Sequence, residues 1–280
     1  MKHVQSLSRF WISALTIGLV ETFVVGVGLT HPTQAKSEDD DKDKGQDKQA
    51  QLIIGTDDDR QDNAAIQAGA AANQSLNRTD VLQGGKGNDV IFGLNGNDVI
   101  DGGQGQDIIL GGPDGGPAPG GPPNSDIMFG GQGDDVNLWA PGDGSEAFFG
   151  GPGKDAIVFG ATDRDANADP ATGVRLPTLL HGVSGFPQGI PTADVSSLAN
   201  FCTIEPSPLA TYDYLIRFRG RAANNIIVTV RVKDVEQVFC TDQGGNAIAF
   251  ADLTVPSPTF VPVSQAQVGE LNPLVGAMIR

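Results

Sequence analysis

Gly84-Gly85-Lys86-Gly87-Asn88-Asp89-Val90-Ile91-Phe92 decides the fold of this chain, because the same nine-residue pattern returns in phase around it. Its form is G-G-x-G-x-D-x-U-x, with U apolar. Gly102 to Leu110 and Gly150 to Val158 repeat it throughout, and Gly93 to Asp101 departs only at Leu94. Acidic residues mark the period: Asp80, Asp89, Asp98 and Asp107 stand nine apart, followed by Asp126, Asp135, Glu146 and Asp155. A short fixed period signals a stacked repeat array and takes precedence over any local secondary-structure reading.

Each repeat divides into a turn and a strand. Glycines at the first, second and fourth places permit the positive φ angles of a tight turn. The triplet that follows, such as Val90-Ile91-Phe92 or Ile108-Ile109-Leu110, is apolar and makes a short strand. Two nonapeptides then form one coil, so alternate repeats stack on the same side, ~4.8 Å apart as neighbouring strands must be. Asp89, Asp107, Asp135 and Asp155 line one edge; Asp80, Asp98, Asp126 and Glu146 line the other. Unit charges ~5 Å apart repel by ~1 kcal/mol in water and ~3 kcal/mol at an effective dielectric of 20, so such edges require a cation. Calcium suits them, since it accepts six to eight hard oxygen ligands in a forgiving geometry, whereas magnesium demands a stricter octahedron. No Cys or His cluster suits zinc.

From Gly84 to Phe159 the chain resembles the RTX, or hemolysin-type, calcium-binding repeat proteins. The resemblance implies a right-handed parallel β-roll with Ca2+ as its cofactor. It implies sixth-place carboxylate ligands, here Asp89, Asp98, Asp107, Asp126, Asp135, Glu146 and Asp155. Backbone carbonyls of Gly85, Gly87, Gly96, Gly103, Gly105, Gly131, Gly133, Gly151 and Gly153 would complete the shells. Departures single out Asp89 and Asp107 as the best pair. Pro113 to Pro123 interrupts one turn, Trp139-Ala140-Pro141 precedes Glu146, Leu76 and Arg78 replace glycines near Asp80, and Asn137 takes an apolar place.

The acidic load follows the repeats. The formal charge of the 280 residues is -16; residues 51–160 carry -12 and residues 161–280 only -3. This field repels nucleic acid and attracts cations. Upstream, Lys2 and Arg9 precede an apolar run from Phe10 to Val20, and Thr33-Gln34-Ala35 suits cleavage, which predicts a signal peptide over 1–35. The alternative is an uncleaved anchor over Phe10 to Leu29, disfavoured by Glu21 at its centre. After cleavage no stable membrane span remains. Residues 36–50 read as a charged, disordered linker. Export, to the extracellular space, the cell surface or the periplasm, favours a disulfide between Cys202 and Cys240, with two free thiols as the alternative.

Beyond Gly160 the period gives way to alternation. Tyr212, Tyr214, Ile216 and Phe218 share one strand face and Val228, Val230 and Val232 another, with a turn from Arg219 to Asn225. Asp234-Val235-Glu236-Gln237-Val238 and Phe250-Ala251-Asp252 resemble segments that follow such repeats. Arg217, Arg219, Arg221 and Arg231 could grip an anionic glycan or surface polymer, or pair with nearby acids.

No catalytic residues stand out. His181 is the one histidine after Ala35, which excludes an H-E-x-x-H metalloprotease, and Gly182-Val183-Ser184-Gly185-Phe186 lacks the last glycine of a nucleophile elbow. The expected protein is therefore all-β: a parallel β-roll over 51–160 followed by a β-rich C-terminal cap domain over 161–280. Its expected function is secreted, calcium-dependent in folding, and structural or interactive rather than enzymatic. A hydrolase with an unrecognised site in 161–280 is the alternative.

Overall fold

The computed structural model describes residues 52–54, 80–93, 96–112, 126–140, 143–162, 179–180, 189–196, 199–244 and 248–279. The signal segment 1–35, the linker 36–50, the insertion Pro113 to Pro123, His181 and Ser184 lie outside the described residues.

Successive repeats alternate between two sheets, as a coil of two nonapeptides requires. One sheet runs Leu52–Ile54, Val90–Phe92, Ile108–Leu110, Val136–Trp139, Ala156–Phe159, Gln237–Thr241, Ile248–Asp252, Val261–Val263. The other runs Val81–Lys86, Val99–Gln104, Ile127–Gln132, Ala147–Phe149, Ile226–Lys233, Tyr214–Gly220, Asn200–Pro206. Every pairing through Gln237–Thr241 in the first and Ile226–Lys233 in the second is parallel, and the strands beyond are antiparallel. The protein is thus a β-roll whose two sheets continue into the C-terminal strands.

Register follows the repeat. Val81 pairs with Val99 and Val90 with Ile108; then Val99 pairs with Ile127 and Ile108 with Val136, so the stack closes over the insertion. The eighth place of each repeat faces the space between the sheets, where Leu82, Ile91, Ile100, Ile109, Met128, Phe148 and Ile157 form one buried column. Asn137 occupies that place in its repeat and is fully buried. Its Nδ2 donates to Met128 Sδ at 3.1 Å and to the Ile109 carbonyl at 3.4 Å.

The outer faces of the two sheets differ. In the first sheet the seventh and ninth places, including Val90, Phe92, Ile108, Leu110, Leu138 and Val158, are covered by Ile190, Ala193, Val195 and the C-terminal residues Val268, Leu274, Val275 and Met278. In the second, Val81 and Ile127 are each 37% exposed. The covering residues at the C-terminus sit on two helices, Gln265–Leu271 and Pro273–Met278, that the strand-only expectation did not include. Their signals are local: Ser264 N–H donates to Gln267 Oε1 at 3.1 Å, and Asn272 Oδ1 accepts the N–H groups of Leu274 and Val275 beside Pro273.

The C-terminal hairpin keeps Arg219 and Gly220 in a strand, with a bulge between Phe218 and Arg219, so its turn is shorter than the Arg219–Asn225 expected. Tyr212 lies ahead of that strand, its ring 5.5 Å from that of Phe149. Ile216, Phe218, Val230 and Val232 enter the same core as the eighth-place column. Cys202 and Cys240 form a disulfide that ties the two sheets together, with Cα atoms 6.1 Å apart. Closing a loop of that separation contributes ~3–4 kcal/mol.

Candidate metal centre

The turn on the first edge is set by where its glycines must stand. Gly85 and Gly87, at the second and fourth places, have φ 95 and φ 127, a region closed to most side chains. First-place glycines do not share that region, contrary to the expectation from sequence; they are needed for close approach. A Cβ on Gly102 would lie 2.5 Å from Asp107 Oδ2 and 2.6 Å from the Gly130 carbonyl oxygen. On Gly130 it would lie 2.5 Å from Asp135 Oδ2 and 2.7 Å from the Gly150 carbonyl oxygen. Each sixth-place carboxylate and the first-place carbonyl of the next coil therefore converge on one small space.

The carboxylates are held there by a ladder of hydrogen bonds. Asp107 Oδ1 accepts the N–H of Asp89 at 2.7 Å, Asp135 Oδ1 that of Asp107 at 2.8 Å, and Asp155 Oδ1 that of Asp135 at 2.8 Å. On the second edge Asp98 Oδ1 accepts from Asp80 at 2.8 Å and Asp126 Oδ1 from Asp98 at 2.7 Å. A side ladder uses the fifth place: Asn88 Oδ1 accepts the N–H of Gln106 at 2.8 Å, and Asp134 Oδ1 that of Lys154 at 2.9 Å. One oxygen of each accepting sixth-place aspartate is spent on the coil before it, and the other is left to face the glycine turn.

Those second oxygens are costly without a cation. Asp107, Asp135 and Asp155 are fully buried, and their Oδ2 atoms have no hydrogen-bond partner. Burial pushes all three carboxyls up to about 8; backbone N–H bonds oppose it, and neighbouring acids add to it. For Asp107 those neighbours are Asp135, Asp89 and Asp101. A buried carboxylate beside further carboxylates is a ligand awaiting a positive charge. Among the described residues, no three or more His, Cys, Asp or Glu side chains group where they could hold a metal. A cation in the turns must therefore draw on backbone carbonyls as well, which calcium accepts.

The expected ligands fall as follows. Asp89, Asp107, Asp135 and Asp155 stack on one edge, and Asp98 and Asp126 on the other. The carbonyl oxygens of Gly85, Gly87, Gly103, Gly105, Gly131 and Gly133 each meet the corresponding glycine one coil on, which for Gly131 and Gly133 is Gly151 and Gly153. Gly96 precedes Asp98 in the second edge's turn. Glu146 and Asp126 converge beside Gly111, where a Cβ would lie 2.8 Å from Glu146 Oε1 and would collide with Asp126 Oδ2. Sequence reasoning missed the carbonyls of Gly102, Gly130 and Gly150. The signal was a first-place glycine kept in every complete repeat although its backbone angle does not demand one.

Arg217, Arg219 and Arg221 of the C-terminal hairpin make internal contacts. Arg217 Nε and Arg219 Nη2 both pair with Glu205 at 3.2 Å, and Arg221 Nη2 donates to the carbonyls of Asn200 and Asp242, its guanidinium 5.5 Å over the Phe201 ring.

Comparison with known families agrees with this geometry. The model for the RTX calcium-binding nonapeptide repeat matches four copies, over residues 76–109 and 124–136. These repeats bind Ca2+. No curated protein and no solved structure matches the chain. The match begins at Leu76, in a stretch before Asp80 that lacks glycines, and ends before Glu146 and Asp155, although the same stack continues through both.

Proposed function

We propose that this calcium-binding repeat protein is exported and folds when calcium fills its turns, serving a structural or interaction role at the cell surface or in the extracellular space. The observation that carries the reading is the column of Asp107, Asp135 and Asp155, fully buried with unpartnered Oδ2 atoms and no neighbouring cationic side chain among the groups that shift them. Such a column disfavours the cation-free roll and favours the filled one. Export is supported by the Lys2–Ala35 segment and by the Cys202–Cys240 disulfide, which an oxidising compartment would preserve. No helix among the described residues is long and apolar enough to cross a membrane.

The reading is non-catalytic, because among the described residues the paired and buried acids of the repeats are committed to the stacked turns. Arg217 and Arg219 sharing Glu205 favours a structural use of the hairpin over a grip on an anionic polymer. Circular dichroism of residues 36–280 should gain strand signal on calcium addition, with binding heat in calorimetry; an unchanged spectrum without heat would overturn the reading. Turnover of ester, peptide or glycan substrates by the purified protein would overturn its non-catalytic part and favour a hydrolase in 161–280.

A further inference from the structure

The carboxylate ladder does not stop at the last repeat. Asp155 N–H donates to Glu236 Oε2 at 2.7 Å, as Asp135 N–H donates to Asp155 Oδ1. Glu236 thus takes the sixth place of one more turn, followed by Gln237-Val238-Phe239 paired in parallel with Ala156-Ile157-Val158. Asp234 takes the first place. Its carbonyl accepts the N–H of Gly151 at 3.3 Å, as the Gly150 carbonyl accepts that of Gly131 at 2.9 Å. A Cβ on Gly150 would collide with the Asp234 carbonyl oxygen and lie 2.5 Å from Asp155 Oδ2. The chain that left the roll at Phe159 has returned through Ile226–Lys233 to close it, with a three-residue turn and no glycine.

We propose that Asp155, Asp234 and Glu236 form a further Ca2+ site, built by the returning C-terminal segment, so that closure of the roll is itself calcium-dependent. The proposal rests on the reading that calcium fills the repeats. Asp155 is fully buried, and its unpartnered Oδ2 points into the space where the Asp234 carbonyl arrives. Val235 is 7% exposed and packs in the core, which sends its two neighbours the other way. Asp234 holds φ 50, a strained value for a non-glycine residue, and Asp213 Oδ2 accepts its N–H at 3.0 Å. Its side chain is spent on Lys233, whose Nζ lies 3.2 Å from Asp234 Oδ1 and 2.9 Å from Asp213 Oδ1, so the backbone carbonyl is what it offers. Two carboxylates and a carbonyl are hard oxygen donors that match a divalent calcium ion in charge and kind.

The test is a calorimetric calcium titration of the full chain, read with hydrogen exchange of the strand Gln237–Thr241. Glu236→Gln keeps an oxygen for the Asp155 N–H and removes the charge. It should bind one calcium fewer and lose at least tenfold of the calcium-induced protection in Gln237–Thr241, while Val90–Phe92 and Ile108–Leu110 keep theirs. Glu236→Asp should keep the count and weaken that one site severalfold. An unchanged count for Glu236→Gln, or protection lost equally with and without calcium, would overturn the site and leave Glu236 a structural cap. A wild-type chain that binds no calcium would instead overturn the reading of the repeats.

Discussion

As far as Asp126, the two edges of the roll carry the same hydrogen-bond ladder on very different sequences. The edge through Asp89, Asp107, Asp135 and Asp155 has a complete G-G-x-G-x-D turn at Gly84, Gly102, Gly130 and Gly150. The edge through Asp80, Asp98, Asp126 and Glu146 has none: glycines are missing before Asp80, Leu94 replaces the second, the insertion splits Gly112 from Asp126, and Asp143-Gly144-Ser145 leads into Glu146. Yet Asp98 and Asp126 bond to the coil before them as Asp107 and Asp135 do. The ladder needs only an aspartate one coil on, and a first-place glycine brings carbonyl and carboxylate oxygens together on either edge, as at Gly93 beside Asp98 Oδ2. What the second edge lacks is the full run of second- and fourth-place glycines whose positive φ angles shape the turn on the first. Calcium binding should therefore concentrate on the first edge.

Chelation tests this most strongly. Four turns each filled at ten times the dissociation constant contribute together roughly 5–6 kcal/mol, comparable with the stability of a small domain. Removing calcium should melt the roll or lower its thermal midpoint steeply, as followed by circular dichroism. Equal loss of exchange protection in the turns of both edges would break the comparison.

A substitution of intermediate effect is Gly103→Ala. Gly103 holds φ 104, and a Cβ there would collide with the Gly85 carbonyl oxygen, so strain and overpacking should cost ~3 kcal/mol in denaturant unfolding with calcium present. Ser145→Ala, in the glycine-poor turn before Glu146, loses only the hydrogen bond that its Oγ accepts from the Thr229 N–H at 3.2 Å and should cost ~1 kcal/mol. Similar losses for the two would show that both edges depend on their turns alike.

Asp107→Asn and Asp98→Asn sharpen the contrast, since each retains an oxygen for its ladder bond. With calcium at ten times the dissociation constant, Asp107→Asn should cost ~1.4 kcal/mol and one bound ion. Asp98→Asn should leave the ion count unchanged in calorimetry. Loss of an ion from both would place sites on both edges.

Much of this was legible in the period itself. Nine-residue spacing predicted the alternating strands, the membership of each edge and the acids that meet there. The sheets' unequal outer faces were written in the ninth place, where Phe92 and Leu110 contrast with Gln83 and Asp101, but reading it needs the knowledge that helices cover one side. Those helices are short and signalled only by Ser264 and Asn272-Pro273, and their apolar residues find a partner only once the first sheet exists. Glu236 escaped because its turn has no glycine and the chain between it and Asp155 is long. Its place is fixed by three-dimensional return to the sheets rather than by spacing.

The smallest effect, and the one that separates calcium from every other stabiliser of the first edge, is the response to pH. Asp107, Asp135 and Asp155 have carboxyls pushed up by burial from 3.8 to about 8 in the cation-free fold. A raised acid binds more protons folded than unfolded, so the cation-free roll loses stability as pH rises from ~4 through ~8. Calcium must displace those protons. Between pH 7 and pH 8 the calcium midpoint should fall severalfold, a change of ~1 kcal/mol, with protons released on binding. Calorimetry in two buffers of different ionisation enthalpy reads that release directly. A midpoint independent of pH would mean that the buried carboxylates of the glycine-complete edge are not the groups that take the ion.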